Sequence, residues 1–592
     1  MDNNKIAKML YEIGDFLDIE DIKFKPRAYQ KAAIAVDLLE ENLGEIYNRG
    51  GIKALEKIPC VGKSIAEKIE EYILTGKIRY YAKLKKKMPV NIRELTAIQG
   101  IGAKTLKVFY KKLNIRDIQD LEKAVQARKI RKLPGFGEKT EQNILQGIAF
   151  LKKSGTRFLL GEIFPYVESI LKELRKLKQV EKASVAGSVR RMKETIKDID
   201  ILVCSKNPKK VMDFFVSMPL IKEVLSKGET RASVRMNFAG GDAQCFNCDL
   251  RVVPAKSYGS ALQYFTGSKY HNIAIRKIAI SKGLKLNEYG IFKKAQTKTG
   301  KNIQIGGRTE KEIYNILGMD YILPELRENR GEIQASLNNN LPKIIGYNDI
   351  KGDLHCHTKW SDGANTIKEM AETAIKMGYE YIGITDHTKF LKAQNGLDEK
   401  RLLEQGKEID KLNKEFQSKG LKFKILKSCE ANILNNGSLD INNSALKKLD
   451  YVVAGVHSNF KMSKKEMTER IVRAIKNPYV KIITHPFGRV LRKMSESFGR
   501  SLKARDKYEC DFDKILSVAK KFGVVLEINS QPQRLDLDDA HIRRAKQAGV
   551  KMAINTDSHH KSHLEFIKFG IGQARRGWAE KGDIVNREEW GN

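Results

Sequence analysis

The stretch Gly187-Ser188-Val189-Arg190-Arg191, followed after a short polar loop by Asp198-Ile199-Asp200-Ile201-Leu202-Val203, decides the fold. Side chains alternate between the two faces of a strand, so we expect Asp198 and Asp200 on one face of a β-strand. Two carboxylates on one face repel each other, whereas Mg²⁺ prefers carboxylate oxygens and completes its coordination shell with phosphates. The paired acids therefore indicate a metal-dependent reaction at a phosphate.

Two neighbouring features support this interpretation. A third acid, Asp249, lies in residues 248–253, which we predict to be an adjacent strand. Upstream, Gly187 opens a polar turn in which backbone N–H groups, Ser188 and Arg191 are suited to binding phosphate. An Asp-x-Asp by itself more often marks a solvated strand end, but the turn and the third acid together favour a nucleotide site.

These residues resemble the nucleotidyltransferase core of the family X DNA polymerases, and residues 264–276 continue the resemblance. It implies that three acids hold two Mg²⁺ or Mn²⁺ ions, and that the Tyr-Phe pair and the following glycine disfavour a 2′-hydroxyl on the incoming dNTP. Lys269 departs from the acid that DNA polymerase beta carries there. The implied metal-binding and catalytic acids are Asp198, Asp200 and Asp249, and the implied nucleotide-binding residues are Gly187, Ser188, Arg191, Tyr264, Phe265, Gly267, Asn272 and Arg276.

Composition restricts the class of protein and its partners. A chain of 592 residues is too long for one core, so three or more folding units are expected. The formal net charge of +37 indicates a polyanionic partner, and nucleic acid fits best. Seven irregularly spaced cysteines suggest a reducing compartment. Without a signal-like or membrane-spanning segment, we expect a cytoplasmic, nucleoid-associated monomer that has no membrane partner.

Three stretches before residue 150 share a glycine-containing turn that precedes a helical segment: residues 58–63, 98–104 and 133–139. This pattern resembles the helix-hairpin-helix motif, which binds the DNA backbone through backbone N–H groups without reading bases. In the first copy Cys60 replaces a glycine, and its Cβ hinders a positive φ, so its phosphate contact is the least secure. The implied DNA-binding residues are Gly62, Gly100, Gly102, Gly135 and Gly137.

Residues 65–69 match the segment of DNA polymerase beta that contains its Schiff-base lysine. The resemblance makes Lys68 a candidate nucleophile for removal of a 5′ sugar phosphate. A surface lysine on a DNA-facing helix is the favoured alternative, since no neighbour in the sequence visibly lowers the pKa of the amine.

The histidines form the second strong pattern, because nine of the ten lie beyond residue 350. Seven short apolar runs alternate with helical segments there, and nearly every run ends in a potential metal ligand. Seven β-then-α units predict a parallel barrel, in which the carboxyl ends of all strands meet at one rim. Ligands that are scattered over the sequence should therefore converge on one pocket.

Residues 350–575 resemble the polymerase and histidinol phosphatase (PHP) domain, which implies up to three Mn²⁺ or Zn²⁺ ions and hydrolysis of phosphoesters. Mixed imidazole and carboxylate ligands suit these ions better than Mg²⁺. By resemblance, His355, His357, Glu430 and Asp557 would bind one ion, His457 and His485 with Glu430 a second, and Asp362, His387 and His559 a third. His560 and His563 match no position of the motif and are interpreted as surface residues.

The fold class is therefore multidomain, α+β and α/β, with a helical N-terminal region, a nucleotidyltransferase palm and thumb, and a C-terminal (β/α)7 barrel. The expected domains are an N-terminal helical region at 1–90, a fingers-like region at 91–150, a palm at 151–255, a thumb at 256–320, a linker at 321–349 and the PHP domain at 350–592.

The whole chain resembles a family X DNA polymerase with a C-terminal PHP domain. The implied function is gap filling on gapped or nicked DNA in base excision repair, with a 3′–5′ exonuclease and, as further options, abasic-site endonuclease or 3′-phosphatase activity. Three alternatives stay open: a template-independent nucleotidyltransferase, a PHP phosphatase with a DNA-targeting N-terminal half, and a non-catalytic DNA-binding scaffold.

Overall fold

The computed structural model describes residues 3–588 except 21, 23, 38, 40–41, 97, 99–100, 139, 143, 146–147, 149–156, 238–244, 294–301 and 492–503. The chain divides into two compact units, Met1–Thr156 and Arg157–Asn592. Within the described residues, no helix is both long enough and apolar enough to cross a membrane.

The first unit is helical where it is described. Its helices are Asn3–Ile19, Lys25–Asp37, Leu43–Glu56, Lys63–Thr75, Arg79–Lys87, Ile92–Thr96, Ala103–Leu113 and Ile118–Gln126, with a short 3₁₀ turn at Ile130–Lys132. The predicted helical N-terminal region is confirmed, and Ile6, Leu10, Ile13 and Leu17 are fully buried on one side of its first helix. One continuous core extends from Ile6 to Ile148, so the expected division near residue 90 does not separate two cores.

A five-stranded sheet forms the palm region at the start of the second unit. The strands of this region are β1 (Phe158–Leu159), β2 (Val180–Val185), β3 (Thr195–Ile196), β4 (Asp198–Ser205), β5 (Ile221–Lys227), β6 (Arg231–Asn237) and β7 (Cys245–Val253). Strands β1 and β3 form a separate two-stranded antiparallel sheet. The sheet order is β2-β4-β7-β6-β5, and β4 and β7 run parallel. Helices Leu160–Arg175, Gly187–Arg190 and Pro208–Val216 accompany it. Two parallel central strands bring their acidic residues to the same edge of the sheet.

The thumb region combines helices with a small antiparallel sheet. Its elements are helices Tyr258–Thr266, Lys269–Ser281 and Glu310–Ile316, and strands β8 (Leu284–Asn287), β9 (Gly290–Lys293) and β10 (Ile303–Gly306). A Cβ at Gly259 would overlap the backbone of Thr309. The glycine therefore lets the first and third of these helices pack closely.

Residues 321–349, predicted as a linker, are instead a packed part of the second unit. They contain a 3₁₀ turn at Pro324–Leu326 and a helix at Glu332–Leu337. Arg327 is fully buried and its guanidinium pairs with Glu310, while the buried carboxylate of Glu332 lies 2.6 Å from Nδ1 of His271. Charged side chains are buried only with partners, so these contacts fix the segment to the thumb. The asparagines suggested a linker, but Asn338 ends the helix Glu332–Leu337, and the segment packs against the thumb.

The predicted barrel of seven strand-then-helix units is confirmed. Its strands are β11 (Gly352–Cys356), β12 (Tyr381–Ile384), β13 (Lys424–Lys427), β14 (Glu430–Asn432), β15 (Val452–Gly455), β16 (Val480–Ile483), β17 (Val525–Asn529) and β18 (Met552–Asn555). The strands form two parallel sheets, β11-β12-β13 and β14-β15-β16-β17-β18, and β13 and β14 come from one predicted run. Parallel bridges between Cys356 and Ser558 and between His387 and Glu430 connect the two sheets. The helices are Ile367–Lys376, Glu399–Ser418, Asn443–Leu446, Lys464–Ile475, Phe512–Phe522, Asp539–Ala548 and Ile567–Arg576.

The palm region and the barrel share packing. Leu535 and Phe569 of the barrel belong to the hydrophobic core of the palm, where the ring of Phe569 lies edge-on to that of Phe164 at 5.6 Å. Pro532 fills the space beside Gly161 so closely that a Cβ there would overlap it. The second unit is therefore continuous from palm to barrel rather than a pair of separately folded bodies.

Two candidate active sites

The first candidate site lies at the head of the palm sheet, where three acids meet. Asp198 and Asp200 occupy β4, and Asp249 on β7 is in direct register with Asp200. Asp249 also accepts hydrogen bonds from the hydroxyl of Ser233 and, at 3.2 Å, from the guanidinium of Arg231. The structure thus brings together Asp198 and Asp200, which were predicted to share a strand face, and Asp249, which was predicted to lie on an adjacent strand.

The electrostatics of these acids suit a divalent cation. Burial, followed by repulsion from Asp198 and Asp249, raises the pKa of Asp200 to about 7. Burial also raises the pKa of Asp198, and Asp249 adds to that rise. The oxygens of these mutually repelling carboxylates would coordinate Mg²⁺ or Mn²⁺, because a bound cation offsets both their repulsion and their desolvation.

The predicted phosphate-binding turn lies directly against Asp200. Gly187 has φ +59°, and a Cβ at this position would collide with Oδ2 of Asp200. Glycine is therefore required both for the left-handed backbone and for the close approach to the carboxylate. Ser188 follows in the short helical turn Gly187–Arg190 and is partly exposed, so its hydroxyl is accessible beside the acids.

Arg191, predicted as a phosphate ligand, is engaged inside the protein. Its Nε donates to Glu328 at 2.9 Å and its terminal nitrogen donates to the carbonyl of Thr266 at 2.7 Å. The preceding Arg190 forms two hydrogen bonds with Glu310, at 2.8 and 2.7 Å. Both guanidiniums thus connect the turn to the thumb region.

The other predicted nucleotide-binding residues, from Tyr264 to Arg276, contact one another beside this turn. The rings of Tyr264 and Phe265 meet edge-on at 5.1 Å, and the guanidinium of Arg276 lies 5.7 Å from the centre of the Tyr264 ring. The amide of Asn272 donates to the carbonyls of Tyr264 and Gly267, at 2.6 and 3.1 Å. In this structure Asn272 therefore holds the 264–267 backbone in place.

The second candidate site lies at the carboxyl ends of the barrel strands. Potential ligand atoms form three groups, each with all members within 4.8 Å: His355, His357 and Glu430; His387, Glu430 and His457; and His357, Asp362, His387 and His559. Asp557 lies 3.2 Å from Nε2 of His357, and His485 lies 3.0 Å from Glu430. All nine predicted ligands therefore converge, although His357 and His387 each bridge two groups rather than serving one.

Glu430 is the centre of this site. Its Oε1 lies 3.1 Å from Nε2 of His457, and its Oε2 lies 2.8 Å from Nδ1 of His387. Although burial favours the protonated form, His457, His355 and His387 hold the pKa of Glu430 well below its usual range. Within the described residues, Oε2 of Glu430 and Nδ1 of His387 are buried without a hydrogen bond of good geometry. A shared cation would satisfy both atoms.

Two residues near the metal ligands were not identified from the sequence. Glu527 lies on β17 and its carboxylate is 2.7 Å from Nδ1 of His355, the arrangement that commonly orients a metal-binding histidine. Its signal was a charged residue inside an otherwise apolar strand. His563 was interpreted as a surface residue, but it lines the cavity over the ligands and stacks on Phe566 at 4.9 Å.

In the first unit, the structure refines the predictions for Lys68. Its Nζ donates to the carbonyl of Ser64 at 2.8 Å and lies 5.2 Å from the centre of the Tyr80 ring and 6.0 Å from that of Tyr29. Burial among these groups lowers the pKa of the Lys68 amine. Neighbours that lower the pKa of this amine, which the sequence did not reveal, are therefore present in the fold.

The hairpin glycines begin helices as predicted. Gly62 and Gly102 directly precede helices Lys63–Thr75 and Ala103–Leu113, and Gly135 has φ +84°. Gly137 accepts the first helical hydrogen bonds of the third copy, from Thr140 and Glu141. Gly100 lies outside the described residues. Cys60 adopts φ +66°, so the first copy keeps the turn despite its Cβ.

Comparison with known proteins agrees with this arrangement. Family profiles match a helix-hairpin-helix domain over residues 1–78, a SAM-like helix-hairpin-helix tandem over 92–149, the DNA polymerase beta thumb over 261–328 and the PHP domain over 353–531. The DNA polymerase/3′-5′ exonuclease PolX of Bacillus subtilis is 36% identical over 99% of this chain and 97% of its own length. The chain belongs to the PHP-containing family X DNA polymerases.

Partial relatives match each half of this family X polymerase. A probable phosphatase of Thermoanaerobacter sp. (strain X514) is 32% identical over 37% of this chain and 81% of its own length. DNA polymerase lambda of Rattus norvegicus is 22% identical over 55% of this chain and 56% of its own length. The thumb profile ends at residue 328, within the segment predicted as a linker, which agrees with the packing of Arg327 against Glu310.

Proposed function

We propose that this family X polymerase adds deoxynucleotides to a 3′-OH at short gaps in DNA and degrades DNA from the 3′ end in its barrel. The observation that carries the proposal is the register of Asp200 with Asp249, directly beside the Gly187 turn. A nucleotidyl transfer needs carboxylates for cations and donors for a triphosphate within reach of each other.

Each residue of the palm site has a role in this proposal. Asp198, Asp200 and Asp249 would hold Mg²⁺ or Mn²⁺, which supplies charge stabilisation at the phosphoryl oxygens. Ser188 and the N–H groups of the turn would bind the triphosphate, and Tyr264 and Phe265 would border its sugar. Arg191 reaches a phosphate only if its guanidinium exchanges Glu328 for the nucleotide.

The barrel ligands would hold up to three ions, and their mixture of imidazole and carboxylate favours Mn²⁺ or Zn²⁺. Arg505 and Arg534 line the same cavity, so the chemistry of the cavity suits a phosphoester anion. The likeness to a probable phosphatase makes hydrolysis of a 3′-phosphate a second candidate activity, alongside abasic-site cleavage.

The net charge of +37 and the glycine turns before helices support binding to the DNA backbone without preference for sequence. Affinity for gapped duplex should therefore fall steeply with salt, whatever the sequence. We also propose a monomeric, nucleoid-associated protein that works in the cytoplasm.

Primer extension on gapped duplex tests the proposal, with Mg²⁺ and then Mn²⁺, and with longer and shorter products followed together. Matched substrates are an open primer–template and a single-stranded primer. Addition of the templated nucleotide at the gap supports the proposal. Equal addition to the single-stranded primer would instead establish the template-independent alternative, and hydrolysis without any addition would establish the phosphatase alternative.

A further inference from the structure

The nucleotide-binding turn of the palm ends on a residue that the barrel holds directly. The carbonyl oxygen of Arg191 accepts a hydrogen bond from Arg576 at 2.9 Å. Arg576 is the last residue of the helix Ile567–Arg576, which also packs on the barrel strands β17 and β18. A residue from the end of the chain thus fixes the backbone that follows Gly187 and Ser188.

The same guanidinium also determines the surroundings of the Arg191 side chain. Oε1 of Glu328 accepts from Arg191 and from Arg576, both at 2.9 Å. Although burial favours protonation, Arg576 and Arg191 keep the pKa of Glu328 far below its usual range. Arg576 is only 2% exposed and also pairs with Asp539. One buried guanidinium therefore connects the palm, the end of the thumb and the barrel.

Apolar packing reinforces this contact. Gly572, one turn before Arg576, lies so close to Met192 that a Cβ at position 572 would be 2.9 Å from the Met192 Cβ. Met192 has φ +53°, and its carbonyl lies 3.5 Å from the amide of Gln573. The turn is therefore held at two consecutive residues, 191 and 192, by one face of a barrel helix.

We propose that Arg576 is a positioning residue for nucleotide addition: the barrel helix sets the orientation of the nucleotide-binding turn through Arg191 and Met192. The inference rests on the proposed function of the palm. Arg576 does not reach the triphosphate itself, but it fixes the backbone whose N–H groups would bind it. Displacement of such a backbone weakens nucleotide binding more than it slows the chemical step, because the three acids stay in place on β4 and β7.

Arg576→Gln tests this in the full-length chain. The variant should fold, because neither buried carboxylate loses all of its cationic partners. Glu328 is still paired with Arg191, and Asp539 is still paired with Arg330 at 3.0 Å. We expect KM for dNTP to rise about 10-fold with kcat changed less than about 3-fold. Arg576→Lys should bring KM part of the way back, because an ammonium can donate to one of the acceptors of Arg576 but cannot reach all of them as the guanidinium does.

The neighbouring Arg575→Gln is the matched control. Arg575 is on the same helix and is buried, but it pairs with Glu325 and the carbonyl of Ile345 rather than with the turn. The Arg575→Gln variant should therefore have the KM for dNTP of the wild-type protein. Hydrolysis of DNA by the barrel in each variant reports that the second unit is folded.

Gly572→Ala is the second probe, because it adds only a methyl group against Met192 and keeps every ion pair. It should raise KM in the same direction as Arg576→Gln. An unchanged KM for dNTP in both Arg576→Gln and Gly572→Ala, with wild-type addition intact, would overturn the inference alone. A wild-type protein that adds no nucleotide would overturn the proposed function and this inference with it.

Discussion

Asp200 and Asp249 lie side by side in register on the parallel strands β4 and β7. Neither strand needs an acid at this position for its packing, since the buried neighbours Ile201 on β4 and Leu250 on β7 are apolar. The pKa of Asp200 rises to about 7 through burial and repulsion from its two acidic neighbours. The pair therefore costs folding free energy unless a cation binds between the strands.

Asp249→Asn should lower nucleotide addition by at least about 10³-fold, because one ligand of the cation site is lost while the shape is kept. Asp213→Asn is the matched control, since Asp213 is a palm acid that pairs with Lys227 at the surface. Single-nucleotide gap filling under single-turnover conditions measures both. An Asp249→Asn protein that extends primers at the wild-type rate would remove the third acid from the site.

Glu310→Gln should destabilise the second unit by about 3 kcal/mol at pH 7, because Arg190 and Arg327 lose a buried carboxylate partner. Burial opposes ionisation, but Arg327 and Arg190 lower the pKa of Glu310 to about 2. A depressed carboxylate pKa gives stability that is present above the unfolded value, near 4.5, and is lost as pH falls toward 2.

Urea unfolding at pH 7, 5 and 3 checks this prediction. The difference in the free energy of unfolding between the wild-type protein and Glu310→Gln should have its full size at pH 7 and should be clearly smaller at pH 3. A difference of equal size at all three pH values would show that the charge of Glu310 does not contribute.

Glu430→Gln should remove metal from the barrel, because Glu430 faces five histidines: His355, His357, His387, His457 and His485. Metal content after dialysis should fall by at least one ion per chain, and 3′–5′ degradation should fall by at least about 10³-fold. In the wild-type protein, Mn²⁺ should stimulate degradation more than Mg²⁺, since imidazole favours Mn²⁺.

Glu415→Gln serves as the control for this experiment, because Glu415 lies on the outer helix Glu399–Ser418 and pairs with Lys368 and Lys419. Its metal content and degradation should equal those of the wild-type protein. Full metal content in Glu430→Gln would contradict the central role of this carboxylate.

Lys68→Gln should abolish release of a 5′ sugar phosphate from incised abasic DNA, because the half-buried amine of Lys68 is the candidate Schiff-base nucleophile. Burial beside Tyr29 and Tyr80 lowers its pKa, which raises the neutral, nucleophilic fraction. Borohydride trapping of the covalent complex measures the reaction, with Lys77→Gln as the control. Trapping of Lys68→Gln at the wild-type level would assign the chemistry to another group.

The fold and most of the candidate sites could be predicted because their signals are local. Alternation along residues 198–203 indicated that Asp198 and Asp200 share a face, and the parallel strands of a barrel necessarily gather their carboxyl ends. Cys60 shows a limit of such rules, because the turn forms at φ +66° although the residue is not glycine.

Other features could not be predicted, because they depend on contacts between residues far apart in the chain. Residues 321–349 read as a linker from their asparagines and proline, but the pairing of Arg327 with Glu310 packs them into the thumb. The contact of Arg576 with Arg191 has no local pattern. The same holds for the burial that lowers the pKa of Lys68, since Tyr29 comes from another helix.

We expect the unit Arg157–Asn592 to contain two separate centres, with nucleotide addition at the palm and 3′–5′ degradation in the barrel. The most direct test uses one labelled primer in gapped DNA with two double variants, Asp198→Asn with Asp200→Asn, and His355→Ala with His357→Ala. Thermal unfolding checks that each is folded, because loss of barrel metal can destabilise that region. We predict only shorter products from the first variant and only longer products from the second. A folded His355→Ala, His357→Ala protein that still shortens the primer at the wild-type rate would contradict the account.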